Sequence, residues 1–223
     1  MDIMEAMKAR HSVRRYTERA IEEETARQLQ EEINCCNREG ALHIQLILEE
    51  PQAFGNLFAH YGFFKGVRNY IALVGKDADD LDERAGYYGE RIVLKAQMLG
   101  LNTCWVAATY SKRKNRIKVD DGERVVCVIA LGYGVNQGRP HRNRPVEALC
   151  RVEGDLPEWF RRGVEAAMLA PTAVNQQKFC FVLREGNAVR AEPGRGGCVK
   201  IDLGIVKYHF EIGAGMENFK WEE

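Results

Sequence analysis

The sequence predicts an α+β fold built from recurring helix–turn–strand units, and three observations predict it. Helical and strand spacings of apolar residues follow one another along the whole chain. The glycine-rich stretch Glu192–Gly197 reads as a turn between strands, not as the strand-then-helix fingerprint of a dinucleotide-binding fold. A helix, polar turn and strand from Glu22 to Glu49 has a counterpart from Leu156 to Glu185, and the helix from Asp202 to Gly215 echoes Tyr87 to Gly100, with Gly204 at the place of Gly89. The expectation is one domain, 1–223, with two pseudo-repeated lobes, about 1–154 and about 155–223, related by an internal two-fold.

In chain order, Ile3, Met4 and Met7 mark a short helix that runs into Arg10-His11-Ser12-Val13-Arg14-Arg15-Tyr16. If that run is extended, Arg10, Ser12 and Arg14 project to one side and His11, Val13 and Arg15 to the other. Two guanidinium forks and a hydroxyl then converge, which suits a phosphate; the bland alternative is an exposed basic linker. Glu22–Ile33 reads as a charged helix, Asn34–Gly40 as a polar turn and Leu42–Leu48 as a strand. No carboxylate or cysteine stands at metal-ligand spacing from His43, so no metal site is expected. Phe54, Phe58, Tyr61, Phe63 and Phe64 form either core or a lid over a flat ligand.

Tyr70–Gly75 is a strand apolar enough to be buried on both faces. Asp79, Asp80, Asp82 and Glu83 suit a helix start, and Gly100 lies just past the end of that helix. Asn102–Ala108 is strand-like and ends in Ala107 and Ala108, small enough for a ligand to approach the main chain. Arg113, Lys114, Arg116 and Lys118 read as the exposed face of a short helix and, without interleaved aromatics, as a poor nucleic-acid signal. Val125–Gly132 is the clearest buried strand, and beyond it Arg142 and Arg144 alternate with Asn143 to form a second arginine cluster where an anion could be held.

The stretch Ala170-Pro171-Thr172-Ala173-Val174-Asn175-Gln176-Gln177 joins a helix, begun near Asp155 and Glu158, to the strand Phe179–Leu183. Its carboxamides offer donors and acceptors without charge, which suits the edge of a heterocycle. The plain alternative is that Thr172 and Asn175 cap the turn while Gln176 and Gln177 face water.

With 223 residues and 45% hydrophobic content the chain can bury a core. Thirty-two basic residues balance thirty-two acidic ones, so no global field draws it to nucleic acid or anionic membrane. The charged opening residues exclude a secretory leader, and the longest apolar run is too short to span a bilayer. Seven cysteines without a Cys-x-x-Cys pair agree with a cytoplasmic location.

Taken together, Arg10–Arg14, the strand to Gly75, the helix to Gly100, Asn102–Ala108, Gly132-Tyr133 and the arginines before Pro145 resemble the nitroreductase family of flavoproteins. The resemblance implies a central, mostly antiparallel sheet flanked by helices. It implies FMN as cofactor, with Arg10, His11, Ser12 and Arg14 on its phosphate and ribityl side and Arg142 and Arg144 closing on the phosphate. Ala107 and Ala108 match the family's main-chain contact near the flavin N5. The family's Pro-Ser-x-x-Asn-x-Gln loop normally follows the first long helix and reaches a partner subunit's flavin. Here Asn34-Cys35-Cys36-Asn37 stands there without the proline, while Pro171, Thr172, Asn175 and Gln176 carry the pattern later in the chain. This is similar to a single-chain, pseudo-dimeric branch, a monomer or a homodimer whose interface the flavin does not need. Gln177-Lys178 and Gly134 replace the family's frequent Gln-Pro and proline, with Tyr61, Phe63, Phe64 and Trp105 as candidate pocket walls. The function implied is FMN-dependent reduction, by NADH or NADPH, of a small nitroaromatic- or quinone-like acceptor. The alternative is a carrier or sensor that holds FMN without turnover.

Overall fold

The computed structural model of the protein describes residues 1–54, 63–111 and 115–222. Helices Ile3–Ala9 (α1) and Glu23–Gly40 (α2) precede strands Gln45–Ile47 (β1) and Asn69–Lys76 (β2). Helix Leu81–Met98 (α3) leads to strands Asn102–Val106 (β3), Glu123–Gly132 (β4) and Cys150–Arg151 (β5). Helix Glu158–Ala167 (α4), strands Phe179–Leu183 (β6) and Ala188–Pro193 (β7), helix Val199–Ala214 (α5) and strand Lys220–Trp221 (β8) follow. Two compact units result: Met1–Leu81 with Arg91–Pro140, and Asp82–Glu90 with His141–Glu223.

In the first unit the strands run in the order β1-β2-β4-β3, antiparallel throughout. β2 is buried at every position except Lys76, as its apolar sequence requires. Period-two alternation puts Tyr70, Ala72 and Val74 on one face, where they share a core with Cys104, Val106, Val128, Ala130, Phe54 and Phe64. α2 is longer than expected. The stretch Asn34–Gly40 is not a turn but the last two turns of this helix, because Leu29, Ile33, Cys36 and Gly40 continue one buried stripe. Asn37 then fixes the exit: its amide donates to Ile44 O at 2.9 Å and accepts from Ile44 N at 2.7 Å, which shortens the expected strand to β1.

The second unit has its own sheet, ordered β5-β6-β7-β8, so the mostly antiparallel sheet expected is joined by a second four-stranded one. β6 and β7 are antiparallel, while β5 and β8 flank them in parallel. Aromatic packing holds this unit: Phe181 stacks on Phe210 at 4.3 Å between ring centres, and Phe160 and Phe219 meet Phe210 edge-on. α4 begins after Pro157, with no side-chain cap from Asp155. The turn at Gly194–Gly197 joins β7 to α5, a strand-then-helix order after all. It does not make a doubly wound sheet, since β7 is antiparallel to β6.

α5 packs on residues 82–90 of α3 with main chain against main chain. A Cβ on Gly204 would lie 1.9 Å from Glu83 O and one on Gly86 would lie 2.1 Å from Ile201 O. One turn further on, His209 Nε2 meets Glu90 Oε1 at 2.9 Å with both side chains 0% exposed. A buried hydrogen-bonded polar pair of this kind is tolerable only while both partners are present. Among the described residues, no helix is long and apolar enough to cross a membrane.

Candidate functional site

The basic stretch after α1 is extended because its main chain is paired on both sides. Arg10 caps α1, its N–H still donating to Ala6 O at 2.9 Å. Val13 N donates to Thr103 O at 3.0 Å, Tyr16 N to Lys65 O at 2.9 Å and Thr17 N to Tyr133 O at 2.8 Å. Lys65 N and Val135 N in turn donate to Arg14 O and Arg15 O, each at 2.9 Å. Val13 and Tyr16 are buried, and the Tyr16 hydroxyl donates to Val13 O at 2.7 Å. The fit leaves no room at Gly134, where a Cβ would stand 2.5 Å from Asn136 O and 2.9 Å from Val13 Cγ1. At Gly138, with φ +77°, it would meet His11 Cβ at 2.6 Å.

Burial pushes the Cys104 thiol up, while the charge of Arg14, a hydrogen bond with Ser12 and the charge of Arg10 pull it down. Ser12 is thus within hydrogen-bond reach of Cys104 in β3, and the charges of Arg14 and Arg10 act on the same thiol. Burial, with Cys104 nearby, likewise pushes Tyr16 well above the usual phenol range, against the pull of Arg14. Arg10 is 2% exposed, Ser12 is half-buried and Arg14 is open to solvent. Ala107 and Ala108 follow β3 directly and are exposed. Of the proposed pocket walls, Phe64 is core, packed edge-on against Phe54 at 5.4 Å, and Phe63 is 81% exposed. Trp105 is half-buried in β3. Tyr61 and Phe58 lie outside the described residues, as do Arg113 and Lys114; Arg116 and Lys118 are in an irregular stretch, not a helix.

In the second unit the amide-bearing loop and the second arginine cluster do meet. Asn175 Nδ2 and Gln177 Nε2 donate to Arg142 O at 2.9 and 2.8 Å, and Arg144 N donates to Gln177 Oε1 at 2.9 Å. Both guanidinium-bearing residues remain exposed. Thr172 Oγ1 accepts from Gln177 N at 3.1 Å, though it makes no side-chain cap to the short helical turn it precedes, and Gln177 is 3% exposed and does not face water. Pro171 is buried at the loop's start. Val174, Asn175 and Gln177 all have left-handed φ, at 47°, 56° and 44°. For a β-branched residue such as Val174 that is a strained conformation, held only because its surroundings over-determine it.

The anchor of this loop is a residue the sequence did not single out for it. Asp202, at the first turn of α5, accepts from Ala173 N at 2.9 Å and from Gln176 Nε2 at 2.7 Å. Burial pushes its carboxyl up, and those two bonds oppose the shift. Asp202 was legible only as a helix start, because its partners lie 26 and 29 residues away.

The family model described as "Putative TM nitroreductase" matches residues 2–214. The chain belongs to this nitroreductase family. Among solved structures of the family, one from Thermotoga maritima is similar at 24% identity and a TM-score of 0.69, over 96% of this chain and 83% of that one. A nitroreductase from Desulfovibrio desulfuricans, solved in complex with FMN, is similar at 21% identity and a TM-score of 0.55, over 70% of this chain and 99% of the other. A protein named NADH dehydrogenase/NAD(P)H nitroreductase from Bacteroides thetaiotaomicron is similar at 17% identity and a TM-score of 0.50, over 66% and 95%. No curated protein matches the chain in sequence. Identities this low establish a shared nitroreductase-like α+β fold. Within it the place expected for the family's first-helix loop is the interior of α2, and the Pro-x-x-x-Asn-Gln pattern sits on the strained loop after α4.

Proposed function

We propose that the protein is an FMN-dependent oxidoreductase that uses NADH or NADPH to reduce a small, flat, electron-poor acceptor of the nitroaromatic or quinone class. The observation that carries the reading is the main-chain pairing of Ser12 and Val13 with Thr103, which sets the Arg10-x-Ser12-x-Arg14 stretch along β3; its two guanidinium groups and hydroxyl are a donor set whose chemistry fits a phosphate. Bound FMN would supply the redox chemistry, accepting a hydride and passing electrons on. The chain's share is to neutralise the phosphate through Arg10 and Arg14, to hold the ribityl side through His11 and Ser12, and to present the main chain at Ala107 and Ala108. In the second unit, Arg142 and Arg144 with Pro171, Thr172, Asn175 and Gln176 form the other candidate set, tested by its own substitutions. Family membership and the FMN named for the Desulfovibrio relative support the cofactor; the nicotinamide rests on the name of the Bacteroides relative.

Because one chain carries both sets, flavin retention is read as independent of a partner subunit, in keeping with the internal repeat expected from the sequence. A protein that sheds its flavin on dilution to monomer refutes that part. The decisive measurement is the absorption spectrum of the freshly purified protein, with Arg10→Ala beside it. Loss of a charge-assisted phosphate contact costs about 2–5 kcal/mol of FMN binding, so this variant should be nearly colourless. Since Arg10 is buried, Arg14→Ala, at an exposed position, serves as the second variant. Full yellow colour in both overturns the assignment. Anaerobic mixing with NADPH separates the enzyme, which bleaches quickly, from a carrier, which does not.

A further inference from the structure

At one end of the first unit's sheet the fold brings His43 to a pair of carboxylates, the farther of them, Glu123, 80 residues along the sequence. His43 lies just before β1, its N–H donating to Val74 O at 2.8 Å. Asp120 and Glu123 bracket the turn that opens β4, closed by Glu123 N donating to Asp120 O at 3.0 Å and made possible by Gly122 at φ +78°. His43 Nδ1 stands 2.8 Å from Glu123 Oε2 and 3.9 Å from Asp120 Oδ2, and the ligand atoms of all three residues lie within 4.8 Å of one another. We propose that His43, Asp120 and Glu123 form a binding site for a first-row divalent transition cation of the zinc class.

The geometry is close to what such an ion needs. Ligand atoms about 2.1 Å from one metal stand about 3.0–3.4 Å from each other, between the two separations found for His43. Closing the site asks that the Asp120 carboxylate swing inward toward His43 and Glu123. Asp120 can do so, because its side chain is 78% exposed. Glu123 is the fixed point: its side chain is 10% exposed, and the same Oε2 also accepts from Asp120 N at 2.9 Å.

The charges also balance. Two carboxylates neutralise a divalent cation, and a neutral imidazole adds a nitrogen ligand that Mg²⁺ and Ca²⁺ do not favour but Zn²⁺, Co²⁺ and Ni²⁺ do. For Nδ1 to take the metal, the single proton of the neutral ring sits on Nε2. Three protein ligands leave a position for water or a small ligand. His43 also lines a groove of about 470 Å³ with Asn34, Asn37, Arg116 and Lys118, so the imidazole is reachable from solvent.

The test is calorimetric titration of the chelator-treated full chain with ZnCl₂, repeated with His43→Ala, Glu123→Gln and Asp120→Asn. Binding of one equivalent is expected, weakened at least about tenfold by the first two changes and less by the third. Co²⁺ as a second probe should give the spectrum of nitrogen and oxygen ligation, without a thiolate charge-transfer band. Affinity unchanged in both His43→Ala and Glu123→Gln, a thiolate band from any of the seven free cysteines, or no binding at millimolar zinc each overturns the proposal. Should His43→Ala fail to fold, the exposed Asp120→Asn still discriminates. The readout is metal binding alone and does not depend on the flavin.

Discussion

The two stretches that carry the candidate chemistry are both linkers leaving a helix, yet they are held in opposite ways. Residues 12–17 are fixed by main-chain hydrogen bonds to Thr103, Lys65 and Tyr133, which leaves the side chains of Ser12 and Arg14 for other work. Residues 171–177 are fixed by their own side chains: Thr172, Asn175, Gln176 and Gln177 bond to the loop itself, to the main chain at Arg142 and Arg144, and to Asp202. A polar side chain in a linker is therefore open for a ligand only to the extent that the backbone is secured without it. What the loop presents outward is Val174, 98% exposed, and the exposed arginines it positions.

The contrast can be broken from either side. The largest effect is expected at Gly134, where a valine would drive its Cβ into Asn136 O and the Asn102 amide and unseat the first stretch. Destabilisation of about 3 kcal/mol in urea denaturation is expected. Asp202→Ala should cost about 2 kcal/mol, since it leaves Ala173 N–H and the Gln176 amide without their acceptor while the first stretch is untouched.

Acidity sharpens this second case. Because burial raises the Asp202 carboxyl in the folded state, the folded protein keeps that proton to higher pH than the unfolded chain does. Its contribution to stability therefore grows as pH falls through the window between the raised folded value and the ordinary unfolded value near 4. The stability of the protein measured against Asp202→Asn should improve across that window. A difference that instead shrinks would mean that the two hydrogen bonds, not burial, govern the group.

Smaller effects come from the loop's strain and from the first stretch's exposed charge. Val174→Gly should stabilise by about 1 kcal/mol, a rise of a few degrees in Tm, since it relieves a left-handed β-branched residue that packs against almost nothing. Arg14→Ala should leave stability within about 0.5 kcal/mol, because its side chain is exposed and the register rests on main-chain bonds. A large loss there would show that the side chains, not the backbone, hold residues 12–17.

The sequence exposed what depends on period and left hidden what depends on distant partners. β2 and the interior of β4 follow from local spacing, and both were readable. Asn34–Gly40 looked like a turn because Asn34, Asn37, Arg38 and Glu39 outnumber Cys36 and Gly40, which extend the buried stripe of α2. The second sheet escaped notice because β5 and β8 are two residues each, too short for any periodic signal. Asp202 and the meeting of His43 with Glu123 are contacts across 26 to 80 residues, which no window can see.

α3 supplies residues 82–90 to one unit while the chain on either side of them belongs to the other. No single scission of the gene can therefore release either unit whole. A fragment starting at His141 would lack the main chain of Glu83 that receives Gly204, and would strand His209 without Glu90. Recombination that exchanged the two ends independently would break the same joint, so this polypeptide must be inherited, and engineered, as one piece.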